Sequence, residues 1–407
     1  MKKIVIFSDL YNGKFYRESA KKCGWEPYIF LTVKCEDESI YFVNQFEDVE
    51  KLASDVETLI GGKPDAVLCC VEQISLPVAK YAEYIGVPIN SVDTYRKLRD
   101  KKLMKQIWQS NGVDTAKYYY CQKTKDIPWE KINYPVIVKP TMGAASIGVY
   151  LCRNEEELKD KSRKILMYNL TSLIGEEKKT GLLVEEYIEG EEYSVDTIWY
   201  DGQPIIDGIM SKGIIEGPYF PDKLYLLDSE LDKDTMNLLK ESSHKAVKAA
   251  GDITGATHTE MRIFNGKCYV IESALRPGAG GSFYTLFGQE YGVSFYDLYI
   301  SAILGKTERL KTWKLQEADT EKKSYWYSLS YDGEGVIEKI NGINDIKNLD
   351  YVDYVRLYRK VGEYLPKEKD SNGYFGWIIG RIDNDSFDNI LKRMVDTERM
   401  VSIDYKK

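Results

Sequence analysis

The stretch THTEMRIFNGKCYVIESALRP, Thr257 to Pro277, decides how the rest of the chain is read. Asn265-Gly266 is a turn signal between two runs rich in apolar residues, so the segment predicts a β-hairpin. Glu260 and Glu272 lie on opposite arms. Side chains alternate along a strand, so both carboxylates share a face only if the loop is odd in length or one arm is bulged. That register gathers Met261, Ile263, Tyr269 and Ile271 on the other face as a core. It therefore predicts a three-residue loop or a bulge rather than a plain two-residue turn. Two carboxylates side by side repel unless a cation sits between them. Two solvated edge glutamates fit the same pattern, and the hairpin alone leaves both readings open.

Arg276 follows Glu272 by four residues and opens RPGAGG. A guanidinium beside paired carboxylates can stabilise an anion developing on a phosphoryl or acyl group. A surface arginine before a turn is the plainer account. His258, two residues before Glu260, shares that residue's face, placed to touch a substrate or to serve as a hydrogen-bonded structural residue.

Upstream, PVIVKPTMGAASIGVY (Pro135 to Tyr150) sets Lys139 at the end of an apolar run, where a cation needs an anionic partner. The small residues of Thr141–Gly148 follow, and such a loop lets backbone amides approach a phosphate closely. It also suits an ordinary tight connection. LLVEEYIEGEE reads as a strand ending in a hinge, whose backbone can read a base edge, with the Glu192 carboxylate a few residues on.

The bulk numbers set the frame. The chain has 407 residues, enough for two to four packed units, and at 43% apolar it can bury a substantial core. Lys and Arg total 56 against 64 acidic residues, a net charge of −8 that argues against a nucleic-acid surface. The apolar run near the start, Ile4 to Phe7, is too short for a secretory signal, and no stretch reaches membrane-span length. Seven cysteines, with no CxxC pair, fit reduced thiols and a cytoplasmic setting. With two histidines, His244 and His258, multi-histidine zinc sites and most triad chemistries are poorly supplied.

Along the chain, KIVIF, PYIFLTV and DAVLCCV read as buried strands. They alternate with a helix over EDVEKLASDVETLIGG that carries Val49, Leu52, Val56 and Leu59 at helical spacing. That alternation predicts a parallel sheet covered on both faces. No GxGxxG follows the first strand, so a dinucleotide site there is unsupported. TYRKLRDKKLMKQIWQSNGV reads as one helix ending at Asn111-Gly112. EEELKDKSRKILMYNL and DTMNLLKESSHKAVKAAG read as two more. After Lys311, EGVIEKI, YVRLYRK and YFGWIIGRI read as strands. IEGPYFPDKLYLL (Ile215 to Leu227) reads as an aromatic wall near an acceptor site, or as plain packing.

Taken in order, Lys101, Lys139 with its small loop, the Glu185–Ile188 hinge with Glu192, Glu260 with Glu272, and Arg276 resemble the ATP-grasp carboxylate–amine ligases over about residues 95–307. The resemblance implies an α/β ATP-grasp fold with three parts. These are a Rossmann-like pre-grasp domain (1–94), an ATP-grasp domain (95–310; small subdomain about 113–184 with a phosphate flap at 141–148, large subdomain about 185–310), and a C-terminal α+β lid region (311–407).

It also implies roles. Lys101 and Lys139 bind the phosphates of ATP. Gly143, Ser146 and Gly148 of the flap donate to them. Glu185, Glu186 and Ile188 border the adenine, largely through backbone groups, and Glu192 holds the ribose. Glu260 and Glu272 hold Mg²⁺ (or Mn²⁺). Arg276, with Lys139, is catalytic, and His258, Arg276, Gly278 and Gly280 meet the substrate. The third region and RPGAGG are most similar to the L-amino-acid (dipeptide) ligase branch. That similarity implies small-molecule carboxylate and amine substrates of the amino-acid class, with a homodimer among the open possibilities and no nucleic-acid or membrane partner. One departure stands out: Ala274 occupies the place of the family's Glu-x-Asn asparagine, so a second magnesium would need another ligand, with Ser273 a candidate. Loading a carrier protein, carboxylating a small molecule, and non-catalytic nucleotide sensing are the alternatives.

Overall fold

The structure is a computed structural model that describes residues 1–35, 37–144, 146–173, 177–178, 180–215, 222–227, 231–316, 321–367 and 374–406. The first strands, Lys3–Phe7, Glu26–Leu31, Ile40–Phe42 and Ala66–Cys69, form the expected parallel sheet, with Lys3–Phe7 between Glu26–Leu31 and Ala66–Cys69. The helix Val49–Ile60 shows how local signals set its ends. Asp48 accepts from the Glu50 and Lys51 amides, and Gly61 closes the helix at φ 67°. Its buried face is Leu52, Val56 and Ile60, not the expected Leu59, which is 43% exposed. The i, i+4 row from Leu52 runs through Val56 to Ile60, and burying each such side chain is worth about 1.5–3 kcal/mol.

The single helix expected from Thr94 to Asn111-Gly112 is two helices, Val92–Arg99 and Lys101–Ser110. Asp100 breaks it: at ψ 106° it leaves helical space, and its carboxylate accepts from the Lys102 amide at 2.8 Å, capping the second helix. Lys101 thereby becomes the first residue of a helix, and its own amide donates to the Thr141 carbonyl at 2.9 Å.

Three antiparallel sheets follow: a three-stranded one of Tyr364–Leu365, Gly335–Asn341 and Ser402–Tyr405, and two larger ones. The smaller of these two has the order Tyr118–Cys121, Leu182–Glu186, Val136–Pro140, Tyr150–Cys152, so the strands flanking the small-residue loop are neighbours as expected. Its strand Leu182–Glu186 crosses the 184/185 boundary drawn from the sequence. The larger sheet has eight strands, from Lys267–Ala274 and Gly255–Phe264 through Glu191–Tyr200, Gln203–Gly213 and Leu224–Leu227 to Lys322–Leu329, Gly376–Asp383 and Tyr354–Leu357. Three strands from residues 311–407 therefore continue the central sheet. One buried cluster runs from Ile4 and Tyr16 through Phe283 and Phe287 to Trp326 and Trp377, so the first and last parts of the chain share a core.

Candidate active site

The decisive hairpin is present. Phe264 pairs with Lys267 across a two-residue turn, with Asn265 at φ 51° and Gly266 at φ 71°. Glu260 pairs with Glu272, but Met261 pairs with Val270, so Ile271 is the extra residue of a bulge. The bulge, not a longer loop, brings the carboxylates together. It also corrects the expected core: Met261 and Ile263 pack with Cys268 and Val270, while Ile271 lines the cleft beside Glu272. Tyr269 pairs across from Arg262 rather than from a core residue.

Both glutamates face a cavity of about 400 Å³ that lies where the sheets and the N-terminal region meet. Its wall includes Lys101, Lys139, Gly143, Ser146, Glu185, Glu186, Ile188, Glu192, His258, Arg276 and Gly280. Gly148 and Gly278 are the two expected contacts that do not line it. Gly148 turns the loop at φ +78°, where a Cβ would stand 3.2 Å from Pro140. The Gly278 amide donates to Asp196 at 2.6 Å, and a Cβ there would collide with Phe283, His258 and Asp196. Ala145 of the 141–148 loop and residues 216–221 of the expected aromatic wall lie outside the described residues.

The charges form three groups. In the first, alternation along Val136–Pro140 turns Val136 and Val138 into a core and Ile137 and Lys139 toward the cavity. The same rule puts Glu185 on that side, where it meets Lys139 at 2.9 Å and Lys105 at 3.3 Å. Burial alone would raise the Glu185 carboxyl, but Lys105 and Lys139 hold it below its ordinary range. Burial brings Lys105 down to about 8 despite Glu185. Glu185 thus uses its side chain to neutralise lysines, beyond the backbone role expected of it. The neighbouring backbone is also paired within the protein: the Glu186 amide donates to Lys117, and the Ile188 carbonyl accepts from Arg262.

In the second group, Lys212 stands among Glu192 (2.5 Å), Asp222 (2.9 Å) and Glu260 (2.9 Å). Burial opposes its charge, yet the three carboxylates raise its pKa well above the ordinary lysine value. Burial would raise Glu260 as well, but Lys212 and His258 hold it far below the carboxylate range. His258, 2.8 Å from Asp196, is raised to about 9: burial opposes the charge, and Asp196 and Glu260 prevail. Glu192, expected at a ribose, is also gripped by Arg262 at 2.8 Å.

In the third group, Lys101 meets Glu272 at 2.8 Å, and the Arg276 Nε donates to Glu72 at 2.8 Å. Lys105, Lys212, Asp196, Asp222, Arg262 and Glu72 were not legible as site residues. Most sit in charged or mixed segments where a further charge breaks no pattern, and Glu72 lies just beyond a strand of a different sheet.

The paired glutamates fit a divalent cation that takes part of its coordination from phosphate oxygens. Mg²⁺ in such sites needs only one or two carboxylates, and among the described residues no group of three or more His, Cys, Asp or Glu side chains is placed to hold a metal alone. Ser273 does not serve as an extra ligand. It pairs with Thr259, one residue off the glutamate pair, and its hydroxyl bonds Thr259 at 2.7 Å on the opposite face. Ala274 lines the cavity and has no ligating atom.

A family model for the ATP-grasp domain matches residues 132–283, which span the loop, the hinge and the hairpin just described. The chain carries an ATP-grasp domain. It is similar to alanine–anticapsin ligase of Bacillus subtilis (strain 168), 29% identical over 59% of this chain and 54% of that protein. It is also similar to the L-arginine-specific L-amino acid ligase of Bacillus subtilis, 27% identical over 60% of this chain and 59% of that protein. The aligned chain thus spans just over half the length of these relatives. Among solved structures, the L-amino acid ligase from Bacillus licheniformis superposes with a TM-score of 0.84 over 100% of this chain and 99% of that one, at 24% identity. The expected ATP-grasp fold therefore extends beyond the matched domain to the whole chain. Among the described residues, no helix is long and apolar enough to cross a membrane.

Proposed function

We propose that this protein is an ATP-dependent carboxylate–amine ligase acting on amino acids. One observation carries the reading: Lys101, Lys139, the Glu260–Glu272 pair and Arg276, far apart in sequence, line a single cavity. Relatives whose names specify amino acid ligases support it. The γ-phosphoryl group of ATP passes to a substrate carboxylate oxygen, giving an acyl phosphate and ADP. The amine nitrogen then attacks the acyl carbon, phosphate leaves, the nitrogen loses a proton, and an amide remains.

Lys101 and Lys139 bind the phosphates and offset the charge of the transferring group. Glu260 and Glu272 hold Mg²⁺, which when bound neutralises charge on the phosphate oxygens. Arg276, moored by Glu72 and by the Pro277 carbonyl, has its other N–H groups for the acyl phosphate and the tetrahedral oxyanion. Gly143 and Ser146 cover the phosphates and exclude water, which would hydrolyse the acyl phosphate. Ile188 and Glu186 border the adenine. Glu192 reaches the ribose by sharing its carboxylate with Lys212 and Arg262. No protein nucleophile is required, and burial raises the Cys69 and Cys70 thiols well above their ordinary value, as suits inert core residues.

The test is ADP and phosphate release with Mg-ATP over single and paired amino acids, with mass spectrometry of the products and Arg276→Ala as control. Amino-acid-dependent ADP with a new amide, lost in the variant, is the expected outcome. ADP release indifferent to every amino acid and amine would overturn the reading.

A further inference from the structure

We infer that Arg356 is the receptor for a free α-carboxylate on the amine substrate. The acceptor is then an unmodified amino acid rather than a simple amine or a carrier-bound group. The inference rests on the ligase reading above and narrows it.

Arg356 lies on Tyr354–Leu357, one of the two edge strands of the large sheet, where it pairs with Trp377, and its side chain lines the cavity. Nη1 donates to Asp9 at 2.5 Å, and the guanidinium lies over the Tyr358 ring at 5.4 Å. Its other N–H groups have no partner among the described residues. A guanidinium carries five donors in a planar fork that matches a carboxylate.

Asp9 holds this fork in place and cannot swing away with it. The same oxygen caps the helix Leu10–Lys22, accepting from the Tyr11 and Asn12 amides at 2.8 and 3.0 Å, and the other accepts from the Asn12 side chain at 2.6 Å. Tyr11, next along, packs its ring against Tyr354 at 4.5 Å and Trp377 at 4.9 Å, fixing the helix start to the strands that carry Arg356.

Charge bookkeeping in the cavity points the same way. An amino-acid acceptor brings one anion that survives the whole reaction, besides the phosphates and the carboxylate being activated. The cavity cations Lys101, Lys139, Arg262 and Arg276 each pair with a glutamate, of which Glu185, Glu192 and Glu72 are shared with the buried Lys105, Lys212 and Arg99. Arg356 pairs instead with an aspartate whose same oxygen also accepts two helix-cap amides, and the rest of its fork keeps donors to give.

The experiment compares an acceptor amino acid with its α-amide, in the wild type and in Arg356→Gln and Arg356→Lys, by steady-state kinetics that vary acceptor and donor in turn with the other substrate and ATP saturating. The wild type is expected to prefer the acid. In Arg356→Gln the acceptor KM for the acid rises by about tenfold to a hundredfold, the effect of losing a charge-assisted pair. Discrimination between acid and amide then collapses, and Arg356→Lys restores part of it. Unfolding midpoints measured in urea report whether the variants remain folded. Equal losses on acid and amide, or a rise confined to the donor KM, overturn the assignment. If the wild type shows no amino-acid-dependent ADP formation, the ligase reading fails and takes this inference with it. If it shows such turnover and Arg356→Gln keeps the preference for the acid, only the inference fails.

Discussion

Lys105 carries a charge that the fold barely tolerates. It is 1% exposed, held by Glu185 and by the Thr115 hydroxyl at 2.7 Å, and burial brings it to about 8 from an ordinary 10.5. Between those two values the unfolded chain keeps a proton that the folded chain releases, so stability must rise with pH across that window. Below about 8 both states are protonated and the penalty for the buried charge is constant. Lys105→Met removes this slope. Urea midpoints measured from pH 7 to 11 should therefore converge on the wild-type curve from above, or cross it, as pH rises. Parallel curves would mean that the amine titrates normally. The residue was invisible in sequence for a physical reason. Lys139 interrupts the apolar run PVIV and asks for a partner, whereas Lys105 lies in RDKKLMKQ among other charges, and Lys212 in SKG has no apolar frame to break.

At the scale of elements, the hairpin was the most legible piece, because alternation and a turn signal together constrain the register. What the sequence left open was the device, and the structure uses a bulge at Ile271. The helix break was missed because Asp100 stands between two stretches of helix formers and only its cap geometry reveals it. That cap starts the helix Lys101–Ser110 and so places Lys101 against Glu272 and Thr141. Asp100→Ala should cost about 1 kcal/mol in unfolding free energy, the usual value of a lost cap. It should also raise the KM for ATP, since Lys101 loses its seat. Asp100→Asn can still accept from the Lys102 amide and should preserve both quantities. Calorimetry and ATP titration separate the outcomes, and an alanine variant with wild-type ATP kinetics would detach the cap from Lys101.

Across the whole molecule, the sequence gives the order of the parts but not their contacts, because long-range contact is set by side chains that meet only after folding. Glu72 is the example that matters most for turnover. It follows the strand Ala66–Cys69 of the N-terminal sheet, is 7% exposed, and reaches Arg276 at 2.8 Å and Arg99 at 3.6 Å. Arg99 in turn donates to the Gly143 carbonyl at 2.6 Å and to Glu177 at 3.0 Å, so one carboxylate ties the first sheet to both the small-residue loop and the proposed catalytic arginine. Burial opposes the charge of Arg276, and Glu72 is the first of the groups that raise its pKa regardless. Glu72→Gln keeps the shape and removes the charge, leaving Arg99 with Glu177 and Arg276 with the Pro277 carbonyl and a weaker, neutral acceptor. The loss of a charge-assisted bond of this kind is worth about 2 kcal/mol, seen as a lower urea midpoint. Arg276 then samples positions away from the developing oxyanion, so kcat should fall by more than tenfold, the scale of about 1.4 kcal/mol at the transition state. The KM for ATP should hold, since Lys101 and Lys139 do not contact Glu72. A lower midpoint with unchanged kcat would make Glu72 a structural tie alone, whereas the split between kcat and KM would show that the N-terminal sheet aims the arginine.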